Sequence, residues 1–170
     1  SPLKGQIKLM FADLLIFRTP LKAGDAAPGF ALLDGEGRLR RLEDYKSRWR
    51  VLFFYPADFT SGCTEESCLF RDLAAQFAAL GAEILGVSGD SVLSHHDFAA
   101  AHKLGYPLLS DPARVARRAY GVPHLFGRLS GRVSFVIDPQ GVIRHVFQSG
   151  SRAKEHVNRA LDYLKENHVF

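Results

Sequence analysis

Sulfur and long apolar runs are both scarce in this sequence. Its 170 residues include two cysteines, one methionine and one tryptophan. Two cysteines are too few for the disulfide framework of a small secreted scaffold, and a chain that is 46% apolar has the material for a core of its own. No stretch reaches the roughly 18 apolar residues that span a bilayer. The nearest approach, residues 7–17, carries Lys8 and Asp13 and is not followed by a small-residue cleavage site, so it reads as neither membrane anchor nor signal peptide. These absences predict a protein with no membrane association in a reducing, cytoplasmic setting. Internal repeats, low-complexity tracts and linkers are also missing. Residues 1–20 therefore read as an N-terminal extension, and residues 21–170 as one domain.

The formal net charge is +4 and the pI about 9.2, with arginines spread along the chain. Local clusters occur only at Arg38, Arg40, Arg41 and at Arg114, Arg117, Arg118, and neither is interleaved with aromatics. That pattern predicts a solvated basic face and no nucleic-acid partner. His95, His96 and His102 share one predicted helix without a second cysteine pair to complete a four-ligand zinc site. They are expected to be exposed, with no metal bound.

Periodicity supplies the order of elements. Residues 29–34 read as a strand followed by a turn, and the apolar run Val51 to Tyr55 reads as a buried strand ended by Pro56. From Thr64 the apolar spacing becomes helical, through Cys68, Leu69, Leu73, Phe77 and Leu80, until Gly81 stops it. Residues 82–90 form a second buried strand. Ser94, with Asp97 three residues on, predicts a capped helix that closes at Gly105. After residues 108–110 and a short helical stretch at 112–120, residues 132–147 predict two strands joined at Asp138-Pro139-Gln140-Gly141. Val157, Ala160, Leu161 and Leu164 then mark an amphipathic helix over residues 152–168. This order predicts an α/β protein of thioredoxin-like fold, a mixed central sheet flanked by helices.

Cys63 falls where a buried strand gives way to the first turn of a helix, a place where free backbone N–H groups and the helix dipole favour an anion. A free thiol of pKa about 8.5 is only a few per cent ionised at neutral pH, whereas helix N-termini and nearby cations bring cysteines to roughly 3.5–7.5. Gly62 lets the backbone approach a small ligand, Thr60 brings a hydroxyl to the same loop, and Pro56 shields it from water. Cys68 lies five positions further on. In a regular helix that spacing separates the Cα atoms by about 8–9 Å, and a disulfide needs less than about 7 Å. The pair can bond only if the first turn unwinds, which suits a cycling redox couple better than a permanent staple.

These residues resemble a peroxiredoxin, and more narrowly the PrxQ or bacterioferritin-comigratory-protein subfamily. "PADFTSGC" is similar to the active-site pattern Pro-x-x-x-Thr/Ser-x-x-Cys, "GCTEESCLFRD" to the stretch with a second cysteine five residues on, and "RVSFVID" to the strand opened by the active-site arginine. The resemblance covers residues 21–168, and Ser61 stands where the subfamily more often has proline. It implies a peroxidatic Cys63 that reduces hydrogen peroxide or an organic hydroperoxide, and a resolving Cys68 that closes an intramolecular disulfide. Thr60 and Arg132 would orient the peroxide, Pro56 would shield the thiolate, and Glu66 would orient the arginine. It further implies reduction by thioredoxin or a similar dithiol protein, no cofactor, and a monomer or weak dimer. A redox sensor would use the same disulfide, and a non-catalytic thioredoxin-like domain would need neither Thr60 nor Arg132 beside the cysteine.

Overall fold

The computed structural model describes residues 19–124 and 131–167. Most of the N-terminal extension, residues 1–18, lies outside the described residues, and so does the last residue of the expected C-terminal helix. Among the described residues, seven strands form one mixed sheet in the order β2-β1-β5-β4-β3-β6-β7. At its centre β3 (Trp49–Phe54) runs parallel to β4 (Ala82–Ser88) and antiparallel to β6 (Val133–Ile137). β5 (Leu108–Ser110) continues the parallel part beside β4, and β7 (Ile143–Gln148) closes the other edge. This is the thioredoxin-like α/β architecture that the element order predicts.

The two-residue alternation of a strand explains why β3 is apolar from Val51 to Phe54. Val51, Phe53 and Tyr55 face a core shared with Phe70, Phe77, Val157 and Leu161. Leu52 and Phe54 face a second core containing Tyr120, Phe135 and Ile143. Each face is covered from Val51 to Phe54, and the one charged side chain of the strand, Arg50, is buried with its guanidinium donating to the Leu42 and Asp138 carbonyls. Among the described residues, five helices supply the cover: α1 (Ser61–Asp72), α2 (Ala74–Ala79), α3 (Val92–His102), α4 (Val115–Ala119) and α5 (Ala153–Asn167). Among the described residues, no helix is long and apolar enough to cross a membrane.

Several local expectations need correction. The helix expected to run unbroken to Gly81 is divided at Leu73 (φ −99°, ψ 6°) into α1 and α2. The cap of α3 is Ser91, whose hydroxyl accepts from the Ser94 N–H at 3.1 Å. Ser94 is free to serve elsewhere, because its own position is already inside the first turn. The helix ends at Lys103 in a left-handed conformation (φ 53°), ahead of Gly105. β1 (Ala31–Asp34) is followed by an unforeseen strand, β2 (Leu39–Arg41), and a 3₁₀ turn at Leu42–Tyr45. Asp34 makes that reversal by accepting the N–H groups of Glu36 and Arg38, both at 2.9 Å, while Gly37 takes a positive φ.

Candidate active site

The loop between β3 and α1 starts from two anchors on Tyr55. Its carbonyl accepts from Arg117 at 3.1 Å, and its hydroxyl donates to Asp58 at 2.6 Å. Asp58 is held in turn by His95 Nδ1 at 2.7 Å and the Ser94 hydroxyl at 2.9 Å. Between Asp58 and Thr60 the chain reverses through Phe59, which adopts φ 63° although it is aromatic and 57% exposed. A non-glycine residue in that region costs on the order of 1 kcal/mol and persists where its surroundings impose it. Here the Asp58 anchor lies on one side and the edge-on Phe98 ring, 5.1 Å away, on the other.

Thr60 is the residue before α1, and its hydroxyl donates to the Ala57 carbonyl at 2.9 Å, closing the loop on itself. Cys63 is therefore within the first helical turn, not in the connection ahead of it, and it is fully buried. Gly62 exposes the thiol to Arg132: a Cβ at that position would lie 3.2 Å from Arg132 Nη2. The same nitrogen donates to Cys63 Sγ at 3.2 Å, and Nη1 donates to Glu66 Oε1 at 2.7 Å. Pro56, Phe59, Thr60, Gly62 and Arg132 line a cleft of about 850 Å³ over this group. The six positions singled out in the sequence thus divide in two. Pro56, Thr60, Cys63, Glu66 and Arg132 converge, while Cys68 sits half-buried further along α1 with its thiol free, as Cys63's is.

Burial dominates the electrostatics. It pushes the Glu66 carboxyl up to about 8, and the pull of Arg132 in the other direction only partly offsets it. Burial also opposes charge on Arg132, but Glu66 and Cys63 outweigh it and raise the guanidinium above its ordinary value. His156, fully buried on α5, is brought down to about 4 by burial, with Arg132 acting in the same sense. Its Nδ1 lies 2.7 Å from the Ser134 hydroxyl and 3.8 Å from Glu66 Oε2. Around the sulfur, then, a fixed cation and the N-terminal end of a helix both favour negative charge on Sγ.

The sequence profile of the AhpC/TSA family matches residues 23–146. The chain belongs to the AhpC/TSA family. Among its members, chloroplastic peroxiredoxin Q of Arabidopsis thaliana is 43% identical over 166 residues, covering 97% of this chain and 72% of that protein. Chloroplastic peroxiredoxin Q of Oryza sativa subsp. japonica is 42% identical over 143 residues, 84% of this chain but 66% of the rice protein, so the chain spans just under two thirds of that relative. Of solved structures, peroxidoxin BcpB of Mycobacterium tuberculosis matches with a TM-score of 0.82 and 39% identity, over 88% of this chain and 99% of that one. Peroxiredoxin Q of Xanthomonas campestris matches at 0.75 and 32%, over 82% and 92%. These AhpC/TSA proteins agree with the PrxQ-like motifs around Cys63. They overturn the cytoplasmic expectation, because the plant relatives are chloroplastic. A low cysteine count reads the redox conditions a chain tolerates, not the compartment that provides them.

Three braces of this candidate site are not marked in the sequence. Arg117, expected on a solvated basic face, is 4% exposed and spends its guanidinium on the carbonyls of Tyr55 (3.1 Å), Pro123 (2.9 Å) and Gly131 (3.2 Å). It thereby fixes the residues just before Pro56 and just before Arg132. His95, expected to be exposed, is fully buried between Asp58 and the Leu109 carbonyl, 3.0 Å from Nε2. Its separation from Phe98 by three positions on one helix face was the available signal. His156 is the third. Asp58, Asp90 and His95 have ligand atoms within 4.8 Å of one another, the spacing of a metal site. Those atoms are already engaged, since Asp90 Oδ2 accepts from the Ser88 hydroxyl at 2.5 Å and the Asp58 N–H at 2.8 Å. The cluster reads as bracing for the loop.

Proposed function

We propose that this chain is a thiol peroxidase in which Cys63 is the peroxidatic residue, Cys68 resolves it, and a thioredoxin or similar dithiol protein returns the pair to thiols. The observation that carries the reading is the Arg132 guanidinium, which bridges Cys63 Sγ at 3.2 Å and Glu66 at 2.7 Å within the first turns of α1. The guanidinium places a fixed positive charge directly beside the sulfur that attacks. The thiolate attacks the O–O bond, an S–O bond forms as O–O breaks, and the alkoxide or hydroxide leaves as ROH or water after taking a proton. Thr60 and Arg132 orient the peroxide and stabilise the charge developing on the leaving oxygen. Pro56 keeps water from the sulfur, and Glu66 holds the guanidinium in line. The Cys68 sulfur then displaces water from the sulfenic acid to form the disulfide, and the dithiol protein reduces that disulfide by two-electron exchange. Residues 21–170 constitute the catalytic domain in this reading.

The test is stoichiometric peroxide added to the reduced protein, with free thiols and peptide masses followed in wild type, Cys63→Ser and Cys68→Ser. Rapid loss of two thiols to a Cys63–Cys68 bond is expected, abolished in the first variant and stopped at sulfenic acid in the second. Thiols that survive a small excess of peroxide for many minutes would refute the proposal.

A further inference from the structure

Helix α1 is held from two sides, and the dividing point falls between its two cysteines. Residues 61–66 are tied to the start of β6 through Arg132, which contacts Cys63 and Glu66. Residues 67–72 are tied to the connection between α3 and β5. There the Tyr106 hydroxyl donates to the Ser67 carbonyl at 2.7 Å, and Arg71 donates to the His102 carbonyl at 2.6 Å. Phe70, fully buried, stacks on Phe53 at 4.5 Å. Tyr106 is itself immobilised, its ring edge-on to Phe53 (5.9 Å) and Phe70 (6.3 Å). Burial drives its phenol well above the ordinary value, so the hydroxyl remains a neutral donor throughout the working range.

Oxidation of Cys63 acts on the first set of contacts alone. A sulfenic acid lacks the thiolate charge that pairs with Arg132, whereas the hydrogen bonds of the second set end on the Ser67 and His102 carbonyls and not on the sulfur. We propose that Tyr106 is a positioning residue for disulfide formation: it fixes the Cys68 half of α1, so that residues 61–66 unwind and carry Cys63 to a stationary Cys68. This rests on the roles proposed above for the two cysteines. The Ser67 carbonyl belongs to the residue directly before Cys68, so the Tyr106 hydrogen bond survives the unwinding and holds the attacking thiol in place. Without it the far half of the helix frays as well, and the two sulfurs have more conformations to search.

Tyr106→Phe removes the hydroxyl and keeps the ring packing. Rapid mixing with peroxide, followed by sulfenic-acid trapping and by thiol loss, separates the two chemical steps. Sulfenic acid is expected to form at the wild-type rate and the disulfide about fivefold more slowly, the factor carried by one ordinary hydrogen bond. Hydrogen exchange on the disulfide form supplies the second readout. Wild type keeps protection at the amides of residues 71–73 and loses it over residues 61–66, and the variant loses both. Disulfide formation that is unchanged, or faster, overturns the proposal; acceleration is the result if the whole helix unwinds and the clamp has to break. Absence of a Cys63–Cys68 peptide from peroxide-treated wild type would instead remove the resolving role of Cys68, and it is read before any variant is compared.

Discussion

Replacing Gly62 by alanine sets stability against reactivity in a way few other substitutions here do. The added Cβ lies 3.2 Å from Arg132 Nη2, and that nitrogen is the one bonded to Cys63 Sγ at 3.2 Å. A comfortable carbon–nitrogen contact needs about 3.5 Å or more, so something must yield by a few tenths of an ångström. The guanidinium has little room to retreat, because Arg132 is 4% exposed and its other amino group is fixed to Glu66 at 2.7 Å. Pivoting about that bond swings Nη2 away from the sulfur. A hydrogen bond to a charged group is worth about 1.5–3 kcal/mol, so the peroxide reaction should slow about 10- to 100-fold. Gly62 has no positive φ, and replacing a helical glycine with alanine stabilises by about 0.5–1 kcal/mol. The melting temperature should therefore hold steady or rise by a few degrees. Stopped-flow peroxide consumption and a thermal melt on the same preparation measure both. A rate within twofold of wild type would show that the Gly62–Arg132 approach does not govern the sulfur. In combination with Arg132→Lys, the loss should be clearly less than additive, since both changes act on one contact.

Glu66→Gln tests the buried carboxyl through pH. In the fold this group ionises near 8 against an ordinary 4.5, so the native state retains a proton that the unfolded chain releases, and stability falls as pH rises from about 4.5 to about 8. His156 acts oppositely: its value of about 4 against 6.5 means stability is lost as pH falls from about 6.5 to about 4. Melting temperature against pH should peak between these limits in wild type and lose its alkaline decline in the glutamine variant; an unchanged decline would count against the assignment. Arg117→Lys keeps the charge but not the fork that serves the Tyr55, Pro123 and Gly131 carbonyls. The Pro123 carbonyl keeps the Gly131 N–H and a lysine reaches one of the other two, so the carbonyl left unsatisfied should cost about 1–3 kcal/mol, a drop of roughly 3–10 °C, with peroxide turnover reduced as well. A melting point within 2 °C of wild type, at about one kcal/mol per 2–4 °C, would contradict it.

The parts of this molecule that can be read from the sequence depend on neighbours in the chain. The apolar run at Val51 announces β3 because both faces of that strand are covered, and Asp138 and Gly141 announce the β6–β7 turn because the carboxylate caps the N–H groups of Gln140 and Val142. The surroundings of Cys63 are legible for the same reason, since Pro56, Thr60 and Gly62 all lie within seven residues of it. Arg132 and Glu66 are far apart in sequence, and their pairing was available only through a resemblance. Nothing local marks the division at Leu73, where no glycine or proline interrupts the helical spacing. β2 is hidden because two of its three residues are arginines, although Arg40 pairs with Asp34 at 2.8 Å. Buried Arg117 and the Asp58–His95 pair are the hardest cases. Their partners are 62 and 37 positions away, and a charge destined for the interior looks like any other until the chain folds.

The two anchors on Tyr55 have a consequence for the pace of the proposed cycle. The strand end, the loop and the arginine are a mould that stays set, and only a few helical residues leave it and return. After the disulfide is reduced, those residues have one cavity to re-enter, already shaped, with Arg117 and Asp58 still in place behind it. Helical segments relax in about a microsecond or less. Resetting is therefore far faster than any bimolecular meeting with a reductant at micromolar concentration, and the enzyme is ready for the next peroxide as soon as its thiols are restored.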